Sequence, residues 1–586
     1  MSVFKRIENG FEDDAKRGLV MYGGDIEDVS ELKNKTDVFE VWIRMLALHA
    51  ERVGKRGYIY THLLTYAAYN CFEFYLKNEE RYDLERDFFR HASFSDGLED
   101  LGIYESRNFI YPDSIEELIR MFQDTGLMKI TEKGEKVAFN NIEYMIYLAA
   151  EFEMLRFKVA DTNSRVKLLD EIISFIEHES DVRFRALPYA LHFFNLVSKK
   201  YFSGEMKLKN KEVSRLMLIG LEIGYERTYD VQDSIKKLIL WFKQNTNDIR
   251  QSDKVLWCKL IYNINAVTHN MTVQWHSLEK PEELLNYVES QFKWLKRFYD
   301  NNENWFKEGI KAGVLPIDFR EMIIGNIGAV NQEYAKYYRN RRKELGYSII
   351  NEHMQKSVEY HMLAYKNRLK KLENGIEEKR IEIGISRSII SLSTDHFYLG
   401  LFHNMSDIEK KEQYFDYAIY GKNEENGIVI PGYVDALNLQ GIFSYNDVSN
   451  KMSWKKRREE SLYECEPFMI FRRMAGCYYE KWRIKKSADK IIMYNIIQSL
   501  HLASSELLQD CMIEGKLSTE LLNKYKIEIN AFKRDLEKKY FVLLQNVETN
   551  KMGRRLLLDT FDQILVLYNR LNNSNINLDH MIMSNA

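Results

Sequence analysis

Two arginine–histidine pairs, Arg86/His91 and Arg185/His192, stand five and seven residues apart. At that spacing on a helix an imidazole could take a proton from a ribose hydroxyl while the guanidinium holds the neighbouring phosphate, which is ribonuclease chemistry. Two such pairs are what chance supplies in a chain with 13 histidines and this arginine content, so no catalytic residue is assigned. Metal chemistry is weaker still. His269/His276, His353/His361 and His396/His403 are seven or eight residues apart, which on a helix separates the rings by about 10–12 Å. A zinc ion with bonds of about 2 Å cannot bridge that gap. There is no HExxH, and His178 lacks a second histidine one turn on. No metal is expected. Gly54-Lys55, Gly421-Lys422 and Gly515-Lys516 each lack the following Ser/Thr and the upstream glycine of a phosphate loop. With no GxSxG elbow or dinucleotide loop either, no cofactor is expected.

Two basic clusters could meet phosphate: Arg339, Arg341, Arg342 and Lys343, and Lys455, Lys456, Arg457 and Arg458 behind Trp454. Lys/Arg groupings gain affinity for a phosphate backbone by releasing counterions. Each cluster runs straight into acids, Glu344 or Glu459-Glu460, which favours a solvated helix face. The net charge of -3 gives no global field for nucleic acid or an anionic membrane. Five cysteines, odd in number and without a CxxC pair, point to a reducing, cytoplasmic setting with no disulfide framework. The amino-terminal segment MSVFKRIENGFEDDAKRG has no apolar core of signal-peptide length. Residues 260–278, the longest uncharged stretch, carry Asn, Thr, His and Gln throughout, so no membrane span is expected.

The elements that would position these residues read as helices almost everywhere. Six prolines and 28 glycines in 586 residues leave few breakers. SRVKLLDEIISFIEHES, VSRLMLIGLEIGYERT, SIKKLILWFKQ, PEELLNYVESQFKWLKRFYD and FREMIIGNIGAVNQEYAKYYRN repeat apolar residues at three- and four-residue spacing. Helices with no sheet to cover must bury their stripes on one another, in a bundle or an α-solenoid. Residues 114–151 break the pattern. Ser114 and Glu117 form a capping box, Gly126 closes that helix, and LMKI (127–130) and KVAF (136–139) flank the turn TEKG, where Gly134 can take a positive φ. Asn140 or Asn141 then caps a helix striped by Ile142, Met145, Leu148 and Ala149.

This passage resembles the winged-helix region of NACHT/STAND-type signalling NTPases, on Gly126, Leu127, Phe139, Tyr144, Tyr147, Leu148, Ala149 and Ala150. Residues 37–56 and 63–72 look like the two helices before the wing, so the resemblance covers 37–151. It departs from the family pattern at Asn141, where the family has histidine, and at Ile146, where it has glutamate. The resemblance implies a signalling and sensing portion whose ATPase is supplied elsewhere. A second resemblance, to degenerate tetratricopeptide repeats, rests on Leu399, Gly400, Phe415 and Ala418, and on Gly476, Tyr479 and Ala488.

The expected architecture is all-α, a winged-helix-like unit with a small β-wing followed by a tetratricopeptide-like solenoid. Its expected segments are a polar 1–36, a winged-helix-like 37–151, helical repeats over 152–330, tetratricopeptide-like helices over 331–545 and a helix and polar tail over 546–586. Phe397, Tyr398, Phe402, Tyr478, Tyr479 and Trp482 are the candidates to line a groove for a protein partner. The expected function is a non-enzymatic sensor or scaffold, which the STAND resemblance sets in anti-phage defence with an NTPase or effector acting in trans. A nucleic-acid-binding component or an RNase of the HEPN kind, and a peptide-responsive tetratricopeptide regulator, are the alternatives.

Overall fold

The computed structural model describes residues 36, 39–40, 57–77, 83–85, 128–131, 136–177, 181–274, 281–341, 346–375, 379–403, 407–423, 429–439, 467–485, 489–513, 515–546, 551–574 and 576. These fall into two compact units, Met1–Asn270 and Met271–Ala586. The described residues are overwhelmingly helical, as the scarcity of breakers requires.

In the first unit, α1 (Gly57–Lys77) precedes three short strands, β1 (Asp83–Glu85), β2 (Met128–Thr131) and β3 (Lys136–Phe139). They form one antiparallel sheet in the order β1-β3-β2, with Val137 opposite both Leu84 and Ile130. The expected hairpin is present with β2 shifted one residue along, and β1 is an added strand that the sequence pattern did not signal. The helix expected at 114–126, and the turn with Gly134, lie outside the described residues. Asn141 caps α2 (Ile142–Val159): its side chain accepts from the Glu143 N–H at 2.8 Å. Four further helices complete the unit's described train, α3 (Thr162–Glu177), α4 (Asp181–Ser203), α5 (Asn210–Ser252) and α6 (Lys254–Thr272); α4 packs on α1 and α2, and α5 packs on α3 and α4.

Helix α5 joins two of the expected helices through a kink at Arg227, whose φ of -128° and ψ of 51° break the helical ladder. The carbonyl of Gly224 is taken up instead by the Thr228 hydroxyl at 2.6 Å. The core of this unit is rich in rings: Phe39 stacks on Tyr147 at 4.8 Å and meets His192 edge-on, and Phe72 stacks on Tyr189 at 4.5 Å.

The second unit contains α7 (Pro281–Asn301), α8 (Glu303–Lys311), α9 (Phe319–Arg341), α10 (Tyr347–Glu373), α11 (Lys379–Phe402) and α12 (Ile408–Tyr420). The small hairpin β4 (Lys422–Asn423) and β5 (Val429–Ile430) leads to α13 (Tyr433–Leu439) and α14 (Pro467–Ile484). Then come α15 (Lys490–Asp510), the hairpin β6 (Met512–Ile513) and β7 (Lys516–Leu517), α16 (Thr519–Lys524), α17 (Lys526–Asp535), a π-turn at 536–540, α18 (Val542–Asn546) and α19 (Lys551–Asn572).

Local signals account for the starts. Pro281 opens α7 where a missing N–H costs nothing, and Glu282 and Glu283 complement the helix dipole. Asp489 caps α15 by accepting from the Ile491 and Ile492 N–H groups. The α7 stripe Leu284, Leu285, Val288, Phe292, Leu295 is buried throughout, each such side chain stabilising the fold by about 1.5–3 kcal/mol relative to exposure. Along α9, α10, α11 and α12 each helix packs chiefly on its neighbours in sequence, and α14 packs on α15. At Gly400 on α11 a Cβ would lie 2.8 Å from the Phe415 ring on α12, so the two backbones approach as closely as they do only because no side chain stands there.

Candidate functional site

Four helices of the first unit enclose an open cavity of about 90 Å³. Its floor is Glu153 on α2, 3% exposed between the buried side chains of Phe152 and Met154. Arg156, one turn on, donates to Glu153 Oε1 at 3.2 Å, and the Tyr189 hydroxyl from α4 donates to Oε2 at 3.2 Å. Phe72 and Tyr189 form a stacked ring wall beside it, and Leu168 and Ile172 of α3 supply the opposite apolar wall. Glu73 on α1 and Glu171 on α3 stand exposed at the rim. Desolvation pushes the Glu153 carboxyl up to about 6, with Glu171 adding repulsion, while Arg156 and the tyrosine hydroxyls pull the other way. Burial, with Glu153 and Glu73 beside it, pushes the Tyr69 phenol on α1 far above its ordinary value. The arrangement presents negative charge at the bottom and at the mouth of an apolar-walled hole.

A second polar constellation lies in the second unit. Asp395 of α11 is wholly buried and accepts from three groups: His361 Nδ1 at 2.6 Å, Ser357 Oγ at 2.7 Å and Gln332 Nε2 at 2.8 Å. Serine, histidine and aspartate in one cluster invite comparison with a nucleophile triad, but the connectivity differs. In a triad the histidine uses one ring nitrogen for the serine and the other for the carboxylate. Here Ser357 and His361 both address Asp395, and the His361 Nδ1 that bonds the carboxylate is 3.5 Å from the serine oxygen. The other ring edge faces Gly328, where a Cβ would lie 2.7 Å from Nε2. The cluster binds α9, α10 and α11 together and has no opening for a substrate. A neighbouring group, Asp318 with Arg368 (2.9 Å) and Arg368 with Ser388 (2.7 Å), ties α10 to α11 in the same way.

Of the aromatic candidates, Trp482 (3% exposed) and Tyr478 (7%) are core residues of the second unit, so neither is a wall of an open groove. The pattern that singled them out, rings at helical spacing, serves equally to fill a core. Tyr478 also shares a 2.7 Å hydroxyl contact with Tyr420. Phe397 and Tyr479 are half-buried against the same core, Tyr479 meeting the Tyr540 ring edge-on at 5.1 Å. Tyr398 and Phe402 stack on each other at 5.4 Å in a separate small cluster with Leu399, and Lys336 lies over the Tyr398 ring at 4.3 Å. The two sets adjoin through Phe397 and Tyr398, whose rings meet edge-on at 5.4 Å. Arg339 is exposed near the end of α9 and Arg341 is its last residue. Arg342, Lys343, Lys455, Lys456, Arg457 and Arg458 lie outside the described residues, as do Arg86 and His91.

His192 is buried, its Nδ1 2.9 Å from the Thr36 hydroxyl, while Arg185 donates to the Tyr75 carbonyl, so this pair is divided between separate partners. In two of the three widely spaced histidine pairs each ring has its own partner, His353 with Asn331, His361 with Asp395, His396 with the Leu392 carbonyl and His403 with Tyr347; His276 of the third pair lies outside the described residues. Among the described residues no group of three or more His, Cys, Asp or Glu could hold a metal ion. Cys71, Cys258, Cys477 and Cys511 are buried, and burial pushes the Cys477 thiol up, away from nucleophilic character. No described helix is long and apolar enough to cross a membrane.

Sequence reasoning missed Glu153. Its one signal was a carboxylate on a helix rich in apolar residues, with Arg156 one turn on to compensate it. Comparison of the chain with protein-family models, with curated proteins and with solved structures finds no match.

Proposed function

We propose that the chain acts by binding, as a helical-repeat scaffold that holds a protein partner and reports its presence. The observation that carries this reading is the sequential stacking of α9, α10, α11 and α12, with Gly400 seated on Phe415 at one of the two places where a tetratricopeptide-like small-on-aromatic contact was expected. Polar groups that could otherwise do chemistry, Ser357, His361 and Asp395, are spent inside that stack. The STAND-like reading of residues 126–151 adds that the hairpin-bearing unit transmits occupancy to an NTPase or effector supplied by another chain, in a defence system against phage. Fold analogy alone carries that last step.

The test is co-expression of the chain with the products of adjacent reading frames, followed by size-exclusion chromatography. The expected result is a co-eluting complex that a Tyr398→Ser/Phe402→Ser variant, folded by circular dichroism, no longer forms. Binding to RNA that weakens steeply with salt, in the absence of any protein complex, would instead establish the nucleic-acid alternative.

A further inference from the structure

Helix α5 spans 43 residues, yet its two ends are neighbours: the Asn210 side-chain amide donates to Asn245 Oδ1 at 3.5 Å, where a straight helix would hold these residues about 52 Å apart. Closer to the kink, a Cβ at Gly224 would lie 2.7 Å from Ile235 Cδ1. The chain therefore turns back on itself at Arg227, and α5 is a hairpin of two helical arms whose only non-helical residue is the hinge. Nothing local asks for this turn. From Tyr225 to Ser252 there is neither glycine nor proline, and Arg227 keeps a negative φ, whereas α4, α8 and α10 are followed by positive-φ glycines, Gly204, Gly313 and Gly375. Glutamate and arginine are good helix formers, so the local preference at the hinge is continued helix. Packing imposes the reversal. Asn270 of α6 donates to the Tyr225 carbonyl at 2.7 Å, Asn263 of α6 donates to Glu222 Oε1 at 2.6 Å, and Ser234 meets Ser198 of α4 at 3.4 Å. The second arm and α6 travel together, since Trp257 Nε1 donates to Thr246 Oγ1 at 2.9 Å.

We propose that a second copy of this chain is a partner of the first unit: Arg227 is a hinge at which α5 straightens into one continuous helix, and two chains exchange residues 228–270. This goes beyond the scaffold reading and does not depend on it. The contacts across the hairpin join residues before Arg227 to residues after it, so each forms equally well between two chains. Only the hinge differs between the closed monomer and the exchanged dimer, and a hinge this short favours exchange because opening it prolongs both helical arms. The test holds the full chain at high concentration near its melting midpoint, cools it, and separates the species by size-exclusion chromatography with light scattering. A dimer that survives dilution in the cold is expected, since its release requires the arms to open again. Asn210→Cys/Asn245→Cys places thiols where two side chains meet across the hairpin. On oxidation the monomer closes this disulfide within one chain and the dimer closes it between two, giving a covalent dimer on a non-reducing gel, with the parent, whose described cysteines are buried, as the control. Insertion of Gly-Ser-Gly-Gly after Arg227, in a variant with an unchanged circular dichroism spectrum, lengthens the loop and disfavours the continuous helix, lowering the dimer fraction by at least about tenfold. No dimer under these conditions, a dimer whose introduced cysteines link within each chain, or an insertion that leaves the dimer fraction unchanged overturns the proposal.

Discussion

Replacing Glu153 by glutamine isolates the energetic cost of a buried charge. Unfolded, the carboxyl titrates near 4.5; folded, desolvation raises it to about 6. Below 4.5 both states hold the proton and the residue contributes nothing to pH dependence. As pH rises through the window the unfolded chain releases its proton first, so the fold loses stability, and above about 6 the loss is complete. One and a half pH units at about 1.36 kcal/mol each amount to about 2 kcal/mol. Glutamine cannot ionise, so the variant escapes this loss. Whatever it forfeits in hydrogen bonds from Arg156 and Tyr189 is the same at every pH and cancels in the comparison. Urea unfolding of both proteins at a series of pH values is the assay. The stability of Glu153→Gln relative to the parent should climb by about 2 kcal/mol between about pH 4 and about pH 7.5. A difference that stays flat, or that climbs toward acid, would refute the assignment of Glu153 as a desolvated carboxylate in the folded chain.

Gly400→Leu should destabilise the second unit by about 1–3 kcal/mol, because its Cβ would lie 2.8 Å from the Phe415 ring. Gly325→Ala, at a helical position with open space around it, should be neutral or stabilising by about 0.5–1 kcal/mol; chemical denaturation of the pair reads both. Trp482→Ala should cost about 3–5 kcal/mol as a core deletion, measured by melting, and a folded, fully stable variant would show that its burial has been misjudged. With no phosphate loop in the sequence, Mg-ATP should leave the melting temperature unchanged, and a clear upward shift at millimolar nucleotide would contradict that reading.

Periodicity made most of the helices legible. α7 could be drawn from PEELL and its stripe, and Pro281 marked its first residue. The hairpin was legible because both strands and their turn are local, although an alternating pattern read from Leu127 could not fix which end of the first strand pairs, and the ladder runs Met128 to Thr131. β1 was not legible: Asp83, Leu84 and Glu85 have no strand-like pattern and are extended only through their pairing with Lys136–Ala138, more than fifty residues away. α5 was legible as two helical segments, VSRLMLIGLEIGYERT and SIKKLILWFKQ, which the structure runs together through the kink at Arg227. The cavity was hidden for the same reason as β1. Glu153 meets Tyr189, 36 residues later, and Tyr69 approaches from a different helix, so only the folded chain brings them together. Conversely, Tyr478 and Trp482 stood out in the sequence for chemistry that rings share between surfaces and cores, and burial decided for the core.

Asp395 has a consequence for how the helical stack can move. Apolar stripes on adjacent helices can slide by a turn, about 5.4 Å, and still cover much the same area. The carboxylate of Asp395 cannot follow such a slide, since its donors come from Gln332 on α9 and from Ser357 and His361 on α10, and it has no access to water that could replace them. Releasing it strands a buried charge, a penalty of several kcal/mol for one ion. These three helices are therefore pinned at one axial alignment, like plates held by a dowel, and whatever bends the rest of the stack must bend it elsewhere. Their amide protons should exchange together, as a single block that opens all at once.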